Sequence, residues 1–191
     1  GLLGSPVVIE SVSPSPYDYQ HHCLLYLPRY PPNLSEEHYY DILSADLIDL
    51  ITASHGHALV LFTSYATLAA VRERLRGRLP FPLFTMGRGR RHTAELFKAS
   101  PGGVLLAAGP AWEGMDFPGN CVSLLVIPRL PFPRPDARRE AEREQYDSLH
   151  QFLRAVVIPE MQIKLRQGFG RAIRTETDIC VVAILDERAA E

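Results

Sequence analysis

Four continuous apolar runs, separated by segments of helical character, constrain the fold of this chain most strongly. They read HALVLFTS (57–64), GGVLLAA (102–108), CVSLLVIP (121–128) and DICVVAILD (178–186). Each run is apolar at successive positions, which is typical of a strand buried on both faces. Strands of this kind alternating with helices predict an α/β fold, in which helices cover both faces of a parallel sheet.

Shorter segments extend this pattern. CLLYLP (23–28) and PFPLFT (80–85) read as short strands. Ser35 is predicted to cap a helix, although His38 occupies the place where a capping box would have Glu or Gln. Further helices are expected over 65–76, 94–99, 136–150 and the GFGRAIR region (168–174). Residues 1–16, rich in Ser, Pro and Gly, are predicted to be a linker or a loose first strand, and 17–191 a single domain.

Composition excludes several classes of protein. The net charge of −2 gives no global attraction to nucleic acid or membrane, so such a partner must be met by a local patch. Three widely separated cysteines fit neither a disulfide framework nor a metal knuckle, which predicts buried thiols in a reducing compartment. The sequence shows no membrane span and no signal peptide. A cytoplasmic protein without a membrane partner is therefore expected.

Unusual residues cluster where the predicted strands end. TSY (63–65) follows one apolar run, GPAWEGMDFPGN (109–120) another, and RLPFPRP (129–135) a third. Ligands of parallel sheets bind at the carboxyl ends of the strands, so these segments are predicted to form the functional edge. Trp112 in the second segment is expected either to pack under its loop or to offer a contact surface. Glu113 and Asp116 resemble a glycosidase carboxylate pair, but no aromatic-lined sugar cleft accompanies them.

The stretch RQGFGRAIRT (166–175) places Gln167, Arg171 and Arg174 at short spacing around a Gly-x-Gly turn. On a helix the two arginines would share a face, because residues three apart are neighbours on the helix surface. Two guanidinium groups aimed at one point suit a phosphate or a carboxylate. A solvated basic face at the start of a helix is the alternative.

Three of these segments together resemble known helicase motifs. VLFTSY, GPAWEGMDFPG and QGFGRAIR occur in the order and separation of motifs IV, V and VI of superfamily 2 helicases, and their spelling is similar to that of the DinG/XPD branch. The segment IPRLPFPRPDARREAER (127–143) is also similar to that branch. The resemblance covers about 15–186. It implies a RecA-like fold and the second motor domain of an ATP-dependent 5′–3′ DNA helicase.

The resemblance also implies roles for individual residues. Arg171 and Arg174 match the arginine fingers of motif VI, and Gln167 its opening glutamine. Gly114 and Asp116 match the motif V residues that couple nucleotide to nucleic acid, with Glu113 holding the loop. Single-stranded DNA is the expected partner of the strand-end residues and of the basic GRGRR loop (87–91). The residues predicted to contact DNA are Thr63, Ser64, Tyr65, Trp112, Arg88 and Arg90. Trp112 would either stack on a base or brace the loop that carries Glu113 and Asp116.

The chain contains neither G-x-x-x-x-G-K-[ST] nor a D-E-x-H box. ATP and Mg²⁺ are therefore expected to be bound mainly by an N-terminal RecA-like domain of the same polypeptide, upstream of Gly1, and the chain alone is expected to be inactive. An iron–sulfur cluster would lie in that upstream part, with none in this chain. Two alternatives remain: an inactive RecA-like module that binds nucleic acid or protein, and an RNA-directed or exonuclease-fused relative.

Overall fold

The computed structural model describes residues 18–29, 34–86, 91–112, 117, 121–171, 173 and 178–190. Within them lies one six-stranded sheet with the order β1-β6-β5-β2-β4-β3, in which all five neighbouring pairs are parallel. The strands are β1 (Cys23–Tyr26), β2 (Ala58–Phe62), β3 (Leu83–Met86), β4 (Val104–Ala108), β5 (Leu124–Ile127) and β6 (Cys180–Ile184). The predicted parallel α/β sheet is thus confirmed. The predicted linker (1–16) lies outside the described residues.

The described helices lie before and between the strands along the chain. They are α1 (Tyr19–His22), α2 (Glu36–Ala53), α3 (Tyr65–Leu75), α4 (Arg91–Ala99), α5 (Ala137–Arg143), α6 (Leu149–Phe152) and α7 (Ile158–Phe169). A π-helical turn (Leu153–Val157) joins α6 to α7, and short 3₁₀ turns cover Gly109–Trp112 and Glu187–Ala190. None of the described helices is long and apolar enough to cross a membrane.

Helices pack on both faces of the sheet, which explains why the strands are apolar at every position. Along β2, Val60 and Phe62 belong to the core shared with α2 and α3, whereas Leu59 and Leu61 belong to the opposite core with Phe97 and Trp112. Every residue of β2 is buried. Because both faces are covered, neither can carry polar side chains without losing hydrogen bonds to water.

Side-chain caps fix where several helices begin. The Ser35 hydroxyl accepts the N–H of His38 (3.3 Å), which confirms the cap predicted for α2 despite the incomplete capping box. The Ser64 hydroxyl accepts the N–H of Ala66 (3.2 Å) and Thr67 (3.5 Å) at the start of α3. A cap of this kind contributes about 1 kcal/mol. The Ser64 cap places the first turn of α3 directly after β2.

Two predicted helices differ from those observed. The stretch 136–150 is not one helix, because α5 ends at Arg143 and a new helix starts at Leu149. The helix expected over 168–174 is wrong: α7 ends at Phe169, and Gly170 is its C-cap. Glycine is about 1 kcal/mol less favourable than alanine inside a helix, so Gly170 favours the end of α7 at this point. Upstream, Pro159 has no N–H to donate within the helix, consistent with the π-helical turn just before it.

Candidate functional site

The site lies along the edge of the sheet where all six parallel strands end, here called the carboxyl edge. Thr63, Ser64 and Tyr65 follow β2 there. The 3₁₀ turn Gly109–Trp112 follows β4, and the segment 128–135, called the β5 loop, follows β5. Arg171 reaches the same edge because its guanidinium contacts Trp112. The structure thus brings together the described parts of the three segments that the sequence singled out.

Trp112 is buried at the centre of this edge, with 1% of its surface exposed. Its indole N–H donates to the carbonyl of Phe62 across 2.9 Å, which ties the turn after β4 to the end of β2. The Lys164 ammonium lies 5.9 Å from the centre of the ring. A buried and hydrogen-bonded indole is what a residue that braces its loop requires. In this conformation it offers no open face on which a base could stack.

Gly168 allows α7 to approach Trp112 closely. A Cβ at this position would lie 3.0 Å from Cζ3 and 3.3 Å from Cε3 of the indole, inside normal contact distance. Gly170, by contrast, has among the described residues only backbone oxygens of its own helix within 4 Å of such a Cβ, at 3.6 Å. The first glycine of the Gly-x-Gly turn is therefore a packing requirement, and the second marks the end of the helix.

Arg171 lies in the turn that follows α7. Its backbone N–H donates to the carbonyl of Gly168 (3.0 Å), and its Nη2 donates to the carbonyl of Trp112 (3.3 Å). The side chain is half-buried. The predicted helical face shared with Arg174 does not hold, because Arg171 is already beyond the helix. The turn, rather than a helix, orients this guanidinium.

Gln167 occupies the last turn of α7 and is exposed. The remaining predicted site residues lie outside the described residues: they are Arg174, Glu113, Gly114, Asp116, Arg88 and Arg90.

The residues after β2 present polar groups to solvent at the carboxyl edge. Thr63 is exposed, and Tyr65 is 38% exposed. The Ser64 oxygen accepts the capping bonds of α3, which leaves its hydroxyl proton available for donation. The hydroxyl of Tyr65 lies against Gly109, whose φ of +63° and lack of a side chain make room for it. Hydroxyl donors at a strand end suit phosphate oxygens.

Asp186 is a site-forming residue that no sequence motif marks. Only 3% of it is exposed, and its carboxylate accepts the N–H of Leu130 (2.8 Å) and both Nε (2.9 Å) and Nη2 (2.6 Å) of Arg188. Burial raises the pKa of Asp186, but the hydrogen bonds from Arg188 and Leu130 outweigh burial and hold the pKa below its usual value. The sequence signal was an acidic residue ending an apolar strand, with arginine two residues later.

Aromatic and cationic contacts hold the β5 loop at the carboxyl edge. The Arg188 guanidinium lies 4.7 Å from the centre of the Phe132 ring, and that of Arg129 lies 4.1 Å from the Tyr39 ring. The Tyr39 hydroxyl donates to the carbonyl of Pro128 (3.2 Å). Burial raises the pKa of Tyr39, so this phenol stays protonated and remains a donor.

The described residues do not offer a metal-binding donor set. Among them, no group of three or more His, Cys, Asp or Glu side chains could hold a metal ion. Cys180 is buried, and burial raises its pKa to about 12. Cys23 and Cys121 are only partly buried, so the expectation of three buried thiols holds for Cys180 alone.

Comparisons with known proteins agree with this geometry. The family model of the helicase C-terminal domain matches residues 47–191. The ATP-dependent DNA helicase YoaA of Haemophilus influenzae is 34% identical over 97% of this chain and 30% of its own length. The ATP-dependent helicase DinG of Mycobacterium tuberculosis is 36% identical over 76% of this chain and 22% of its own.

Solved structures show the same fold. An XPD helicase superposes with a TM-score of 0.71 at 19% identity, over 88% of this chain and 32% of its own. The Xpd4 protein of S. tokodaii gives a TM-score of 0.62 at 22% identity, over 88% and 35%. The chain spans 30% of the length of the YoaA relatives that it matches. With its RecA-like sheet, the chain belongs to the helicase C-terminal domain family, in the DinG/XPD branch of superfamily 2.

Proposed function

We propose that this chain is the second motor domain of an ATP-dependent 5′–3′ DNA helicase. The observation that carries the proposal is the position of Trp112 between the residues proposed to contact DNA and the arginine proposed to contact ATP. Its indole binds Phe62, which directly precedes the residues proposed to contact DNA, and its carbonyl binds Arg171, the proposed arginine finger. A movement of the DNA-contacting residues would therefore shift Arg171 through Trp112, and a movement of Arg171 would shift those residues.

Arg171 would act on the phosphates of ATP, which the N-terminal RecA-like domain of the same polypeptide would bind together with Mg²⁺. A guanidinium stabilises the negative charge that develops on the transferred phosphoryl group, which accelerates related NTPases by roughly 10³ to 10⁵. A donor held in place beforehand does so without reorganising during the reaction. The hydrogen bond to Trp112 and the turn after α7 supply that orientation. Arg174 and Gln167 are proposed to complete the motif.

The carboxyl edge would bind single-stranded DNA through its backbone. Thr63, Ser64 and Tyr65 are proposed to meet phosphates, and such contacts carry no sequence information. Arg88 and Arg90 are proposed to extend this surface on the grounds of their charge. Gly114 and Asp116 are proposed to couple DNA to nucleotide, with Glu113 holding their loop. Trp112 is assigned to bracing because its indole is buried.

An inactive RecA-like binding module is the alternative. Such a module would need the sheet and the DNA-contacting hydroxyls, but it would have no use for a guanidinium oriented by both a turn and a backbone carbonyl. The position of Arg171 therefore favours the motor.

The test uses the full-length polypeptide, and this chain alone as its control. We expect ATP hydrolysis that single-stranded DNA stimulates, and unwinding of duplexes with a 5′ single-stranded tail but not of those with a 3′ tail. RNA of the same sequence should stimulate less. The isolated chain should not hydrolyse ATP. A full-length protein that binds DNA but hydrolyses no ATP would support the inactive module, and unwinding from a 3′ tail would overturn the polarity.

A further inference from the structure

The geometry points to Arg134 as a further contact with the DNA backbone. Arg134 belongs to the β5 loop and to none of the three helicase motifs, and its guanidinium lies at the end of β2. The inference rests on the proposed function, since it extends the DNA-binding edge of that function by one cationic group. Arg134 would add a positive charge at the strand end that Thr63 and Ser64 occupy.

The position of the guanidinium comes from a contact across the edge. Nη2 of Arg134 donates to the carbonyl of Thr63 at 3.4 Å, a long and therefore weak hydrogen bond. The residue is exposed. In the ranges that the structure covers, no carboxylate forms an ion pair with Arg134. Because a guanidinium carries five N–H donors, most of them remain available for phosphate oxygens.

The backbone that carries Arg134 is fixed on both sides. Before it, Leu130 is bound by Asp186, and Phe132 lies beneath the Arg188 guanidinium. After it, Asp136 caps α5 by accepting the N–H of Arg139 (2.8 Å). Prolines alternate through the loop at 131, 133 and 135, and each fixes its own φ angle. A cation on a held backbone loses less conformational entropy when it binds a ligand.

The other arginine of the β5 loop has a different role. The guanidinium of Arg129 stacks on Tyr39 at 4.1 Å, whereas no ring contact involves Arg134 in the described ranges. Both residues are exposed, so exposure does not distinguish them. Their contacts do: Arg129 binds the domain core, and Arg134 reaches the strand end that the proposed function assigns to DNA.

The test measures the affinity of the full-length protein for oligo-dT at several salt concentrations, by fluorescence anisotropy. Arg134→Ala should weaken binding by about 3- to 10-fold at low salt. It should also lower the slope of log K against log salt by about 0.7, the value for one phosphate contact on a single strand. Arg134→Lys keeps the charge and should keep the slope. Arg76→Ala is the matched control, because Arg76 is exposed but follows the far end of α3.

The outcomes separate this inference from the proposed function. Wild-type affinity and slope in Arg134→Ala, in a protein whose DNA-stimulated ATP hydrolysis is intact, would overturn the Arg134 contact and leave the motor assignment standing. Absence of DNA binding and of DNA-stimulated hydrolysis in the wild type would overturn both. A lowered melting temperature in Arg134→Ala and Arg134→Lys alike, with an unchanged salt slope, would assign Arg134 to loop stability and so overturn its contact with DNA.

Discussion

The guanidinium of Arg171 donates to the backbone carbonyl of Trp112, with 3.3 Å between Nη2 and the oxygen. Since the acceptor is a main-chain atom, substitution of the Trp112 side chain does not remove this bond directly. The side chain instead decides where the carbonyl lies, through its own bond to Phe62 and its packing against Gly168. The stability of the loop and the orientation of Arg171 are therefore linked.

Replacement of Trp112 should destabilise the domain, and a smaller side chain should cost more. Trp112→Phe keeps a ring but leaves the Phe62 carbonyl without its donor, which should cost about 1–3 kcal/mol of unfolding free energy. Trp112→Ala also leaves a cavity and should cost about 3–5 kcal/mol. Urea denaturation of both variants measures these costs. If Trp112 stacked on DNA instead, Trp112→Ala would keep wild-type stability and lose DNA affinity.

Fluorescence of Trp112, the one tryptophan in the sequence, gives an independent check on its burial. Because the indole is 1% exposed, the emission of this chain should be that of an apolar environment. Addition of single-stranded DNA should not quench it. A solvent-exposed spectrum that DNA quenches would contradict the bracing role.

Alanine at Gly168 should destabilise the domain, whereas alanine at Gly170 should not. At Gly168 the new Cβ would meet the indole at 3.0 Å, and overpacking of this kind costs about 1–3 kcal/mol. At Gly170 the nearest atoms of the described residues lie at 3.6 Å and φ is −64°, so alanine fits there and serves as the matched control. Thermal unfolding compares the two variants. Equal stability would show that α7 can move away from Trp112 at no cost.

The sheet was predictable because its signal is local. A strand buried on both faces is apolar at every position, and that pattern is visible in HALVLFTS without knowledge of its neighbours. The cap at Ser35 was predictable for the same reason, since a cap involves residues only three apart.

The orientation of the site was less predictable because it depends on distant contacts. The spacing of Arg171 and Arg174 predicts a shared helix face, but α7 ends at Phe169 with Gly170 as its C-cap. Asp186 and Leu130 are joined by a hydrogen bond although 56 residues separate them. No short pattern predicts such a contact, so the sequence marks Asp186 only as the end of a strand.

Asp186→Asn should reduce stability in a pH-dependent manner. The pKa of Asp186 is lower in the folded state, so its carboxylate contributes stability above the unfolded pKa and loses that contribution as pH falls through the folded pKa. Loss of charged hydrogen bonds should cost about 1–3 kcal/mol at neutral pH. The difference in unfolding free energy between Asp186→Asn and wild type should shrink as the pH falls below 3.8, the ordinary pKa of an aspartate. Asp41→Asn, which breaks an exposed pair with Arg74, should cost at most about 1 kcal/mol.

The arginine finger makes the sharpest kinetic prediction. In the full-length protein, Arg171→Ala should lower kcat for DNA-stimulated ATP hydrolysis by roughly two or more orders of magnitude, because a finger acts on charge that develops in the transition state. Affinity for single-stranded DNA should be nearly unchanged, since Arg171 contacts Trp112 rather than the strand-end hydroxyls.

Arg171→Lys separates the geometry of that group from its charge. A lysine keeps the positive charge but cannot reproduce the guanidinium fork, so it should restore little of the lost turnover. Steady-state kinetics, with DNA binding measured in parallel, distinguishes an effect of geometry from an effect of charge. Urea denaturation of the same variants shows whether loss of the Trp112 contact has destabilised the domain. Near-normal kcat in Arg171→Lys would show that charge alone suffices. Near-normal kcat in Arg171→Ala would remove Arg171 from the catalytic site.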